Sequence, residues 1–101
     1  MMSQLHPLSL SSLIVRAVGF AQADVDGEVV ALSIDKGTCY GLNKVGSRIW
    51  RELTVPVSVR DICGKLLCEY QVEPATCERE VLALLEELRA EGLVEIHGVP
   101  A

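Results

Sequence analysis

The sequence is poor in aromatic residues, with one Phe, one Trp and two Tyr among 101 residues, so stacked rings cannot supply the bulk of a core. Half of the residues are hydrophobic, and Leu, Val, Ile and Ala are expected to do most of the packing. Positive charge is also scarce. Nine Lys and Arg stand against fourteen Asp and Glu, a net charge of −5, and nucleic-acid affinity depends on cations that neutralise phosphates. DNA and RNA are therefore disfavoured as partners. No apolar run approaches the roughly 18 residues of a membrane span. Met1 to Ser12 has no Lys or Arg ahead of its apolar residues, as a secretory signal would. A cytoplasmic location is expected.

Histidine is equally sparse. His6 and His97 lie at opposite ends of the chain. Four cysteines, Cys39, Cys63, Cys68 and Cys77, include no C-x-x-C pair, so neither a zinc site nor a disulfide framework is indicated. Free cysteine often packs as a small hydrophobe, and Cys63 falls on an apolar helical stripe. There is no Ser/His/Asp grouping, no glycine-rich phosphate loop and no base placed beside a cysteine. The glutamates at 78, 80, 86, 87 and 91 read as a solvated helix face. An enzyme is not expected, nor a cofactor.

What is present is ordered punctuation. Leu13 to Phe20 favours a strand, and Asp24, Asp26 and Gly27 signal a turn. Glu28 to Ile34 alternates as a second strand. Asp35-Lys36-Gly37 suits a tight hairpin, and Thr38 to Leu42 gives a short third strand. These predict a three-stranded antiparallel meander. From Asn43, a candidate N-cap, the period becomes helical, with Val45, Ile49 and Leu53 on one face until Pro56. Ser58 to Asp61 has the form of a capping box, with Val57 placed to staple onto Ile62. A second helix is expected over Val59 to Tyr70, burying Ile62, Cys63, Leu66 and Tyr70. Pro74 suits the first turn of a third helix, and Gly92 its left-handed end. Leu93 to Ile96 is read as a short terminal extension. The sum is one α+β domain with helices on one face of a sheet.

Two features exceed what a core requires. In the third helix, Val81, Leu84, Leu85 and Leu88 fall in one arc at about 100° per residue, while Leu82 stands aside. Glu78, Leu82, Leu85 and Arg89 then form a mixed flank with an apolar centre. The third strand, Thr38-Cys39-Tyr40-Gly41-Leu42, carries no lysine or proline to guard it. If it is an edge, it can take an extended peptide as an added strand. Gly41 allows close approach or marks a bulge. A surface leucine and a hairpin strand ended by the next helix are the plainer alternatives.

Asp35 to Asn43, Val45 to Trp50, Val59 to Ile62, Glu69 to Val72 and Glu80 to Val94 together resemble the PqqD-like family over about Leu13 to Ile96. The resemblance implies a winged-helix-like fold of three strands and three helices, acting as a recognition element for ribosomally synthesised, post-translationally modified peptides. It implies that a leader peptide pairs antiparallel with the third strand, in the groove beside the third helix. On this chain that assigns peptide contacts to Thr38, Cys39, Tyr40, Gly41 and Leu42, and to Glu78, Leu82, Leu85 and Arg89. Tyr-Gly-Leu-Asn and Arg-Ile-Trp are most similar to the stand-alone leader-binding proteins of split lasso-peptide systems. Their partner is a transglutaminase-like cysteine protease that acts as leader peptidase; another modifying enzyme is the alternative. Glu73 departs from the family's usual Ser or Asp cap, and Glu80 from its usual Asp. Residues 1–12 are left as an N-terminal extension, 13–96 as the leader-binding domain and 97–101 as a tail.

Two rival classes remain at this point. A winged-helix nucleic-acid binder needs a basic recognition helix, whereas Pro74 to Glu91 holds five Glu against two Arg. A homodimerisation module would pair third strands across a two-fold axis, and a weak homodimer is compatible with an edge that also takes peptide.

Overall fold

In the computed structural model, which describes residues 7–98, the stretch expected as one strand over Leu13 to Phe20 is divided. β1 (Leu13–Arg16) ends before a bend at Val18-Gly19, and β2 (Phe20–Val25) starts in a different sheet. Gly19 has φ 92, a left-handed value that costs glycine little, so the chain changes sheets there. Asp26 (φ 54) and Gly27 (φ 83) close the hairpin to β3 (Glu28–Ser33). Asp24, expected in that turn, instead lies in β2 opposite Val29. β4 (Cys39–Gly41) completes the meander, in the order β2-β3-β4. Gly41 pairs in regular register with Val30, so it marks no bulge.

Local signals set the helix boundaries. Asn43 caps α1 (Lys44–Glu52), its side-chain oxygen accepting from the Gly46 N–H at 2.8 Å. After β5 (Val57–Ser58), Ser58 caps α2 (Val59–Glu69) by accepting from the Asp61 N–H at 3.0 Å. α3 (Pro74–Ala90) begins on its proline, with no side-chain cap from Glu73. Gly92 follows it at φ 80. The terminal extension is a true strand, β6 (Val94–Gly98), and it pairs antiparallel with β1 in a second sheet of order β5-β1-β6. The architecture is α+β and winged-helix-like, built from two small antiparallel sheets and three helices.

The core lies between the helices and both sheets. Ile14, Val29, Ala31, Ile49, Leu53, Val59, Ile62, Leu85 and Leu93 are almost entirely enclosed. One aromatic residue is central despite the aliphatic composition. Trp50 is the largest fully buried side chain; its indole N–H donates to Gln22 Oε1 at 3.0 Å, and the Arg16 guanidinium lies 4.7 Å above the ring. Two apolar expectations fail. Val45 and Tyr70 are 39% and 43% exposed, because a hollow separates α1 and α2 from α3 at that point. Arg48 on α1 bonds Glu52 and Glu69, and Lys65 Nζ bonds Glu52 at 2.6 Å, so an ionic network joins α1 to α2. Part of the N-terminal extension packs on the domain: Leu8 is buried, and its N–H donates to Glu86 Oε2 at 3.0 Å.

Candidate peptide-docking groove beside β4

β4 has one neighbour in its sheet, β3, so its other side is an edge. The pairing fixes which backbone groups that edge offers. Ser33 N–H donates to Thr38 C=O at 2.8 Å and Leu42 N–H to Val29 C=O at 2.9 Å. In an antiparallel ladder such pairs recur at every second residue. Tyr40 and Leu42 therefore turn their amides toward β3, and Cys39 and Gly41 turn theirs toward the open side. Beneath the strand, Ser47 Oγ accepts from Val29 N–H at 2.7 Å and donates to Leu42 C=O at 3.0 Å. This fully buried hydroxyl ties α1 to β3 and to the end of β4.

The open edge faces a groove of about 460 Å³, whose floor and far wall are Gly46, Leu84, Glu87, Leu88, Glu91 and Leu93. Cys39 to Asn43 form the near wall. A Cβ at Gly46 would stand 3.2 Å from Asn43 Oδ1, the cap of its own helix, and in ordinary contact, at 3.8 Å, with Leu84 Cδ2. Leu84 also lines a second, mostly apolar hollow of about 210 Å³ with Val45, Ile49, Leu66, Tyr70 and Val72. Leu84 is the one residue that lines both hollows.

The strand residues named from sequence thus stand at the edge: Cys39, Tyr40, Gly41 and Leu42 line the groove, and Thr38 precedes it, exposed. The helix residues do not gather there. Leu85 is fully enclosed in the core, while Leu82 and Glu78 are half-buried and Arg89 pairs with Glu86 at 3.7 Å. At about 100° per residue, Glu78, Arg89, Leu82 and Glu86 lie to one side of Leu85, and Leu84, Glu87 and Glu91 to the other. On the first side Glu86 Oε2 accepts from the Leu8 N–H, and the groove beside β4 lies on the second. The sequence shows two flanks beside a core stripe; which of them meets β4 depends on tertiary packing.

Groove electrostatics are acidic on the helix side. Glu80, Glu87 and Glu91 are exposed, and no cation pairs with these carboxylates among the described residues. Elsewhere, hydrogen bonds from Lys65 and then Arg48 hold Glu52 below the ordinary glutamate value, and Arg48 does the same for Glu69. Burial, reinforced by Cys77, pushes the Cys63 thiol up to about 11. Cys63 and Cys77 are buried, and Cys39 and Cys68 exposed. Among the described residues, which exclude His6, no three His, Cys, Asp or Glu side chains converge as metal ligands. Nor is any helix there long and apolar enough to cross a membrane.

An open strand edge beside a helix flank, on a winged-helix-like core, defines a small PqqD-like domain. The chain belongs to the PqqD family: the model for coenzyme PQQ synthesis protein D matches residues 28–94. Two solved structures are similar over nearly their whole length. One is TbiB1 in complex with the TbiA(beta) leader peptide, 33% identical, with a TM-score of 0.76, covering 83% of this chain and 98% of that one. The other is a lasso peptide synthetase B1 complexed with its leader peptide, at 27% identity and a TM-score of 0.73, covering 81% and 96%. A search of curated protein sequences returned no match.

Proposed function

We propose that this protein binds the leader segment of a ribosomally made precursor peptide as an added strand on β4 and presents it to a processing enzyme in lasso-peptide biosynthesis. The observation that carries this reading is the pair of outward amides at Cys39 and Gly41, opening on a groove with apolar hollows beside it. Backbone pairing supplies affinity in this mode, and pockets for alternate side chains supply selectivity. Both similar structures hold leader peptides. The protein's part is binding rather than chemistry, and it needs no cofactor. The receiving enzyme is a transglutaminase-like cysteine protease, with leader removal as its reaction, and the site of action is the cytoplasm, where the precursor is made.

Calorimetric titration with lasso-precursor leaders, the TbiA(beta) leader first among them, tests the reading. Saturable one-to-one binding that Cys39→Pro abolishes is expected. Binding that survives this substitution in a folded variant would place the peptide elsewhere.

A further inference from the structure

The flank of α3 that faces β4 is unlike the rest of the helix. Glu86, on the opposite flank, accepts from Leu8 N–H and pairs with Arg89. Glu87 and Glu91 line the groove with Leu84 between them and the second hollow, and no ion pair engages either carboxylate among the described residues. Asp35 and Lys36 share a neighbouring hollow with Glu91, and Lys36 forms no ion pair with it. A row of exposed like charges along a groove raises the local concentration of cations and penalises anions.

From this we infer that the docked segment carries Lys or Arg opposite Glu87 and Glu91, and that these two glutamates set its specificity. The inference rests on the leader-docking reading and adds to it the charge and register of the peptide. Tyr40 lies near Glu91, and Leu42 near Gly46 and Leu84, so β4 and α3 run in opposite directions. A strand antiparallel to β4 therefore runs along α3 in the helix's own direction. Its N-terminal half passes Leu84 and its C-terminal half passes the two glutamates. Four helical residues span roughly 6 Å, close to the roughly 6.6 Å between alternate residues of a strand. Basic side chains two residues apart, both pointing to the helix, can each meet one carboxylate.

Panning a randomised peptide display library on the full chain at low salt tests this without knowledge of the natural leader. Bound peptides are expected to share an apolar position followed by Lys or Arg at two alternate positions. The double variant Glu87→Lys, Glu91→Lys should lose that preference or select Asp and Glu. A synthetic selected peptide should bind Glu87→Gln, Glu91→Gln about 10-fold more weakly at low salt, with the gap closing near about 0.5 M salt as charges are screened. Both sites are exposed, so thermal unfolding should confirm that the variants are folded. Peptides that protect the Cys39 and Gly41 amides but show no basic preference, and bind all variants alike, overturn this inference and leave the docking reading intact. Selected peptides that leave those amides unprotected, or a library that yields no binder, overturn the docking reading and the inference with it.

Discussion

Single residues divide into those that hold the fold and those that shape the groove. Leu85, fully enclosed, should cost about 2–5 kcal/mol of stability when cut to alanine, because of the cavity left behind. Leu84, half-buried between two hollows, should cost little stability on the same change. It should instead forfeit about 1–2 kcal/mol of apolar burial in the complex, a roughly 5- to 30-fold rise in Kd. Denaturant titration and calorimetry on the pair separate the two effects; equal destabilisation would deny Leu84 its place in the groove. Ser47→Ala leaves the buried Val29 N–H and Leu42 C=O without their partner, at a cost of about 1–3 kcal/mol. Alkylation of native protein should label Cys39 and Cys68 and spare Cys63 and Cys77. Cys63 is both enclosed and raised to about 11, so little thiolate exists near neutral pH. At this scale the core was largely legible: Ile49, Leu53, Ile62 and Leu66 recur at helical spacing and are buried. Leu84 and Leu82 were not, since spacing finds a stripe without saying what lies on either side of it.

At the scale of elements, the sequence spoke most clearly where a residue's chemistry acts locally. Asn43 and Ser58 cap helices with their side chains, Pro74 opens one with its fixed φ, and Gly92 follows one at a positive φ that its lack of a side chain allows. β1 and β6 were harder to read, because their register is set by each other across almost the whole chain. The α1–α2 contact was also illegible, as it rests on Arg48, Glu52, Lys65 and Glu69 meeting in space. Its pH dependence follows from the sign of the shifts. Glu52 and Glu69 lie below their ordinary value near 4.5 in the folded chain, so the ionised forms favour folding. That contribution is complete above about pH 4.5 and is lost as the pH falls through the lowered folded values. Arg48→Met should remove the Glu69 part and reduce the Glu52 part, whose bond to Lys65 remains, leaving a variant whose stability falls less steeply over that acid range. An unchanged slope in acid titration of thermal stability would show that these exposed pairs contribute nothing.

For the whole molecule, net charge and topology point the same way. An acidic chain whose third helix bears four Glu and two Arg, with Glu91 just beyond it, should not bind duplex DNA or RNA at physiological salt, which a mobility-shift assay would check. The family and the α+β class could be read from spaced motifs, whereas the second sheet emerged only from folding, when β5 and β6 closed around β1. The central claim concerns one short edge, where alternation leaves the Cys39 and Gly41 amides facing outward. Amide hydrogen exchange, followed residue by residue as a leader peptide is added, addresses it most directly. Cys39 and Gly41 should gain strong protection while Tyr40, already bonded to β3, changes little. Protection that rises elsewhere, with none at Cys39 and Gly41, would contradict strand addition at β4.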